Sequence, residues 1–233
     1  LNALITGSGR GIGKAIAYRF AKAGFNIAIT SKHAEITNRT AAELQEDFPD
    51  IEVIAKAFDL SKKEEAAALA SFVLSKWKTL DVLVNNAGIF MGGKLLDEEE
   101  GRLEYMLNTN LLSAYHLSRS LKDIFMRQRS GHIFNICSIA SLKYYHNSAS
   151  YGISKAAMYA FSNALRAELM PYRVRVSSIL PGAVLTDSWP DRNLPKSRFI
   201  KVEDIANILY QIWKMPEHTL VEDIIMRPLE GDL

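Results

Sequence analysis

Tyr151 and Lys155 stand four residues apart in Tyr151-Gly152-Ile153-Ser154-Lys155. On a helix that spacing puts a phenol and an ammonium on one face, one turn apart. A phenol with a pKa of about 10 exchanges protons poorly at neutral pH, and a nearby cation moves it toward the working range at about 1.4 kcal/mol per unit. The pair is a candidate acid/base, although a Tyr and a Lys at this spacing also occur by chance on many helices. A second constellation lies near the start of the chain, Thr6-Gly7-Ser8-Gly9-Arg10-Gly11-Ile12-Gly13. Glycines let a backbone turn tightly and approach a pyrophosphate closely, and a helix that follows offers unpaired N–H groups and a positive dipole end. The strand-loop-helix setting points to a dinucleotide, with a tight structural turn as the alternative.

The end of the second strand reads Thr30-Ser31-Lys32-His33 and carries no carboxylate. An acid at this place binds the adenosine ribose hydroxyls of NAD, whereas a base accommodates the 2′-phosphate of NADP. Arg10 in the glycine loop adds a second cation that could reach the same phosphate. The pattern predicts NADP(H); the alternative is a pair of solvated surface charges without cofactor preference. Asp59, just after the third strand, is placed to meet the adenine amino group, or is a plain turn acid ending that strand.

These residues need elements to hold them. Apolar, β-rich runs at 2–6, 26–30, 52–58, 81–84, 132–137, 173–179 and 223–226 alternate with helical-period segments at 12–23, 36–48, 62–76, 98–128, 150–170 and 202–214. That alternation predicts an α/β chain, a Rossmann-like doubly wound parallel sheet of about seven strands with helices on both faces. No repeat or Pro/Gly-rich linker divides it, so a single domain over 1–233 is expected, with a cofactor half over about 1–130 and a catalytic and substrate half over 131–233.

Composition excludes several other classes. The 233 residues are 48% hydrophobic and 23% charged, near globular averages, and the 28 basic and 26 acidic residues leave a net charge of only +2. No basic stripe addresses nucleic acid or an anionic membrane, and no apolar run reaches the 18 to 20 or so residues of a bilayer span. The one cysteine, Cys137, cannot form an intrachain disulfide, and a cytoplasmic location is expected. Strand alternation points Cys137 away from Ser138, so it reads as buried packing rather than as a nucleophile. Asp97 and the acidic run Glu98-Glu99-Glu100 read as the start of a helix, complementing its dipole, and not as a metal site. No histidine pair has ligand spacing and no G-x-S-x-G elbow is present, so no metal and no serine hydrolase is expected.

Taken in order along the chain, the marks resemble those of the short-chain dehydrogenase/reductase family over essentially the full length. They are T-G-x-x-x-G-x-G at Thr6 to Gly13, the acid Asp59, Asn85-Asn86-Ala87-Gly88, Asn110 in Asn108-Thr109-Asn110-Leu111, Ser138, Y-x-x-x-K at Tyr151 and Lys155, and Pro181-Gly182. The resemblance implies an oxidoreductase acting on CH-OH/C=O, with Tyr151 as acid/base, Lys155 on the nicotinamide ribose lowering the tyrosine pKa, and Ser138 positioning the carbonyl. Asn110 would kink its helix and hold a proton-relay water, although the family's usual N-x-x-G continuation is here Asn110-Leu111-Leu112-Ser113. The implied cofactor contacts are Gly7, Ser8, Arg10, Gly11, Ile12, Gly13, Ser31, Lys32, Asp59, Leu60, Asn86, Ala87, Gly88, Tyr151, Lys155, Pro181, Gly182, Val184 and Thr186.

Within the family the second half resembles the bacterial sepiapterin reductases, on Ser130-Gly131-His132-Ile133-Phe134, the segment 184–189, and the ending 221–228 with Gly231-Asp232. This implies reduction of a side-chain ketone on a pterin, the substrate meeting Ser138, Tyr151 and Trp189, with Trp189 either stacking on the pterin or only packing its loop. Two other readings use the same marks: a 3-oxoacyl thioester reductase, and a non-catalytic NADP(H)-binding sensor, against which the complete set of four catalytic residues argues. Segment 183–200 is expected to set specificity. The long helices at 98–128 and 150–170 resemble those that form dimer contacts in the family, so a homodimer or homotetramer is expected.

Overall fold

The computed structural model describes residues 1–186 and 194–232. Seven strands form one parallel sheet: β1 (Asn2–Thr6), β2 (Asn26–Thr30), β3 (Val53–Ala55), β4 (Val82–Asn85), β5 (His132–Ile136), β6 (Arg175–Pro181) and β7 (Asp223–Met226). Their order in space is β3-β2-β1-β4-β5-β6-β7, so the chain reverses direction across the sheet between β1 and β4. In doubly wound sheets the crevice beyond the carboxyl ends of such a strand pair is where ligands bind.

The helices are α1 (Gly11–Ala21), α2 (Ala34–Asp47), α3 (Lys63–Lys76), α4 (Arg102–Leu107), α5 (Ser113–Gln128), α6 (Ala149–Leu169) and α7 (Val202–Trp213). All residues of β1, β4 and β5 are buried, which is why these strands read as mainly apolar runs, with the polar residues Asn85, His132 and Asn135 buried among them. Alternation sends Ala3 and Ile5 of β1 into a layer with Ile16, Phe20, Ile205 and Leu209. Leu4, between them, faces Leu69, Val73, Leu117 and Leu121 on the opposite side. Among the described residues no helix is long and apolar enough to cross a membrane.

Beyond shifts of one or two residues at the ends of other elements, three elements differ from the sequence reading. The third strand is Val53–Ala55 rather than 52–58, since it lies at the sheet edge with one neighbour. The sixth strand runs Arg175–Pro181 rather than 173–179, because Arg173 adopts a left-handed φ of 60° in the turn that ends the preceding helix. The helix expected over 98–128 begins only at Arg102, after Gly101 with φ 82°, and widens into a π-helical turn at Asn108–Leu112. The acidic run therefore precedes this helix instead of forming its first turn.

A polar seam crosses the sheet beneath α6. Asn85 Nδ2 donates to Asn135 Oδ1 at 2.8 Å, and Asn135 Nδ2 donates to Ser162 Oγ at 2.9 Å. Ser178 Oγ bonds Ser162 Oγ at 2.9 Å, and the buried Arg166 donates to Ser178 and pairs with Asp223 at 2.9 Å. Polar groups this deep are costly unless they satisfy one another, and among the described residues Asn85 Oδ1 is left without a hydrogen-bond partner.

Candidate active site

The glycine loop is held by close packing against the loop that follows β4. Gly7 has φ +62°, and a Cβ built on it would lie 2.9 Å from Ala87 Cα. A Cβ on Gly13 would meet the Gly7 carbonyl oxygen and lie 2.5 Å from Asn86 Nδ2. Asn86 Nδ2 donates to the carbonyls of Thr6 and Gly7 at 2.9 and 3.1 Å, while Thr6 Oγ1 accepts from the backbone N–H groups of Asn86 and Ala87 at 3.0 and 2.9 Å. The start of α1 has no side-chain cap, so its first N–H groups face the crevice with the partial positive charge of a helix end.

Past the ends of β2 and β3, Lys32 and Asp59 lie side by side, Nζ to Oδ2 at 3.0 Å. Hydrogen bonding to Asp59, its charge, and the Tyr105 hydroxyl raise the Lys32 ammonium above its ordinary pKa. Burial works to raise the Asp59 carboxyl, but hydrogen bonds from Ser61 and Lys32 outweigh it and hold it low. Ser31 is engaged locally, with Thr37 Oγ1 at 2.6 Å.

At the other end, Ser138 leaves β5 in an extended conformation and starts a short turn, its Oγ accepting from Ala140 N at 3.1 Å. The Ser141 hydroxyl donates to the Lys155 carbonyl at 2.9 Å and so ties that turn to α6. Tyr151 and Lys155 both rise from α6 toward Ser138. Burial pushes the Tyr151 phenol up, and a hydrogen bond with Ser138 pulls it the other way. Burial pushes the Lys155 ammonium down, and its Nζ donates to the Ile136 carbonyl at 2.8 Å, 6.0 Å from the Tyr151 ring centroid. The downward pull on the phenol thus comes from Ser138, where the spacing alone pointed to the lysine.

Asn110 sits in the π-helical turn, buried, with Oδ1 accepting from Ile89 N at 2.7 Å and Nδ2 donating to Ile89 O and Ser154 Oγ at 3.0 and 2.9 Å. This grip, two bonds to the loop at Ile89 and one to α6, coincides with the widened turn that divides α4 from α5. A Cβ on Gly88 would lie 3.1 Å from Asn110 Oδ1 and 3.5 Å from Lys155 Nζ, so only glycine leaves these groups clear access.

One cleft of about 630 Å³ joins both ends. Gly7, Arg10, Gly11, Ile12, Asn86, Gly88, Ser138, Tyr151, Lys155, Pro181, Gly182, Val184 and Thr186 line it. Ser8, Gly13, Ala87 and Asn110 stand behind its wall: the Ser8 hydroxyl, for example, is fully buried, donating to Ile5 O and accepting from Thr30 N. Lys32, Ser31, Asp59 and Leu60 lie outside the lining, at the ends of β2 and β3. Trp189 falls outside the described residues. Cys137 reaches the lining but is buried, its thiol pushed up to about 12 by burial, which removes any nucleophilic role at neutral pH.

The sequence reading missed Phe90, Tyr145 and Asp232 as cleft residues. Phe90 meets the Tyr151 ring edge-on at 5.0 Å. Asp232 Oδ2 accepts from the Tyr145 hydroxyl at 2.7 Å and from Arg227, while its buried Oδ1 has no hydrogen-bond partner among the described residues. The Gly231-Asp232 ending was a signal of resemblance, but no spacing ties it to the catalytic helix.

The family model described as short chain dehydrogenase matches residues 1–196. This chain belongs to the short-chain dehydrogenase family. A sepiapterin reductase of Chlorobaculum tepidum is 34% identical over 99% of this chain and 97% of its own length. A Staphylococcus aureus oxidoreductase is 28% identical over 97% of this chain and 96% of its own. Among solved structures, an alcohol dehydrogenase from the archaeon Thermococcus sibiricus, complexed with 5-hydroxy-NADP, superposes with a TM-score of 0.92 at 28% identity, covering 100% of this chain and 98% of that one. L-sorbose reductase from Gluconobacter frateurii, complexed with NADPH and L-sorbose, gives 0.91 at 26% identity, with 99% and 97% covered. Membership makes the chain an oxidoreductase, and it accounts for a glycine loop and a Tyr–Lys helix facing each other across one cleft.

Proposed function

We propose that this dehydrogenase is an NADPH-dependent carbonyl reductase whose general acid is Tyr151. The observation that carries the reading is the meeting of Ser138, Tyr151 and Lys155 at one end of a cleft whose other end is the glycine loop. The fit to a dinucleotide rests on the close-packed glycines and the uncapped start of α1, which suit a pyrophosphate, and on Arg10 and Lys32, which suit a 2′-phosphate. When bound, NADPH supplies the hydride.

The protein's own residues then have separate tasks. Ser138 holds the carbonyl oxygen, and the Tyr151 phenol donates its proton to that oxygen as negative charge develops there. Lys155 orients the ribose, and the Ser138 hydrogen bond that lowers the phenol favours the phenolate left behind. Asn110 holds the Ile89 backbone and α6 in register at the far end of the proton path. The residues that would meet the cofactor are otherwise those of the cleft lining, with Asp59 and Leu60 beside the adenine.

For the substrate, the unpartnered Asp232 Oδ1 favours a molecule presenting N–H donors, and with the sepiapterin reductase relative this supports a pterin ketone. Trp189 would offer a stacking face. We place the working protein in the cytoplasm, as a homodimer or homotetramer.

NADPH consumption across sepiapterin, a small diketone and a 3-oxoacyl thioester tests the reading. Turnover fastest on sepiapterin is expected. Preference for the thioester would replace the pterin assignment, and tight NADPH binding without turnover of any carbonyl would point to a sensor.

A further inference from the structure

The helix that carries Tyr151 and Lys155 is not capped by its own sequence. Ser148 stands at the N-cap of α6, yet its hydroxyl donates to the Tyr145 carbonyl at 2.7 Å and makes no cap bond. An uncapped first turn leaves N–H groups unsatisfied, a serious matter where Ser148, Ala149 and Ser150 are all buried.

The missing acceptor comes from 52 residues earlier. Ser150 N donates to Glu98 Oε1 at 3.2 Å, and the Ser150 hydroxyl donates to Glu98 Oε2. Glu98 is only partly exposed, whereas Asp97, Glu99 and Glu100 beside it are exposed. Its carboxylate therefore complements the dipole of α6, not that of the helix next in sequence.

The segment around Glu98 is itself fastened to the same place. Gly93 N donates to Asn147 O at 2.9 Å and Ala149 N to Gly93 O at 3.3 Å. A Cβ on Gly93 would lie 2.6 Å from Glu98 Cγ, so the carboxylate reaches Ser150 only over a glycine. Arg102 donates to Gly92 O at 2.8 Å and pairs with Glu99 at 3.1 Å. Phe90 and Gly92 of this segment line the cleft, and Phe90 packs on Tyr151.

We propose that Glu98 is a positioning residue for Tyr151. By clamping Ser150, the neighbour of Tyr151 in the first turn of α6, it fixes how that turn sits and holds the phenol against Ser138. The inference rests on the reading of Tyr151 as general acid. Small displacements of such a group cost large factors in rate while leaving remote binding intact.

The test compares Glu98→Ala, Glu98→Gln, Ser150→Ala and the double variant Glu98→Ala/Ser150→Ala with the parent and with Tyr151→Phe. For each, kcat and KM on a carbonyl substrate, NADPH affinity by fluorescence titration, and melting temperature are measured. Glu98→Ala should lower kcat about tenfold with NADPH affinity unchanged. Glu98→Gln, whose amide oxygen still accepts from Ser150 N, should recover to within about threefold of the parent. Ser150→Ala should cost about threefold, and the double variant should be no worse than Glu98→Ala alone, because the two groups form one contact.

Parental kcat in Glu98→Ala beside an inactive Tyr151→Phe would overturn the role of Glu98 alone. So would a Glu98→Gln as poor as Glu98→Ala, or a fall in NADPH affinity and melting temperature in step with kcat. Full turnover in Tyr151→Phe would remove the general-acid reading itself. If Glu98→Ala does not fold, parental kcat in Ser150→Ala and an about tenfold loss in Glu98→Gln decide against the proposal.

Discussion

Replacing Gly13 by alanine sets two effects of opposite sign against each other. Gly13 is the third residue of α1, where alanine gains up to about 1 kcal/mol of helix preference. Its new methyl group, however, would press on the Gly7 carbonyl and stand 2.5 Å from Asn86 Nδ2, and neither is the loose end of a long side chain. Overpacking of this kind costs about 1–3 kcal/mol. Moving Asn86 also endangers its bonds to Thr6 O and Gly7 O, each worth about 0.5–1.5 kcal/mol. The strain wins, with a net loss of about 3 kcal/mol, or roughly 6–12 °C in melting temperature for a chain of this size. Calorimetry on Gly13→Ala measures it, with Gly152→Ala as comparison: there the added Cβ meets only Ala140 O at 3.5 Å, and melting should rise slightly. NADPH affinity should fall at least about tenfold in Gly13→Ala, because the displaced Gly7 carbonyl belongs to the pyrophosphate loop. A Gly13→Ala protein that melts at or above the parental temperature would refute the close-packing argument.

Tyr151→Phe should lower turnover at least about a hundredfold with NADPH affinity nearly unchanged, checked by steady-state kinetics and titration; near-normal reduction removes the assignment. Lys32→Asp puts a second carboxylate against Asp59 in place of an ion pair, so NADPH should weaken at least about tenfold and preference should move toward NADH in competitive titrations. A parent protein that binds NADH more tightly than NADPH contradicts the reading of the second strand. His132 is buried against Ser177, and burial, with a contribution from Arg175, holds its imidazole well below the ordinary range. As pH falls through about 6.5 the unfolded chain therefore takes up a proton that the folded protein refuses, and stability drops by at most about 1.4 kcal/mol per unit from this group. His132→Phe should flatten that loss in urea denaturation at pH 7.5 and 5.5; an unchanged difference between the two pH values counts against it.

The central strands were legible because both faces of each are buried, so each reads as a mainly apolar run. The break at Asn110 was hidden from periodicity, since it comes from side-chain bonds to a backbone 21 residues earlier, and only the family resemblance pointed to a kink. Tyr151 and Lys155 were legible because they share one helix face, whereas Ser138, two residues beyond β5, came only with the family resemblance. Phe90, Tyr145 and Asp232 belong to separate loops and the chain end, so nothing in local sequence linked them to the cleft. The pairing of Lys32 with Asp59 was missed for the same reason: each residue was assigned a ligand, and neither was assigned the other.

The polar seam from Asn85 to Asp223 bears on how this protein could be recombined with its relatives. Asn85 belongs to the stretch that carries the glycine loop, and its partner Asn135 begins the stretch that carries the catalytic helix. A chimera with its crossover between them would inherit the two amides from different parents, and a mismatched partner on one side would strand the buried amide on the other. Crossovers after β7, by contrast, exchange the chain end bearing Arg227 and Asp232 while leaving every member of the seam together. As far as the seam is concerned, inheritance in blocks would thus be permissive past β7 and strict for the join between β4 and β5.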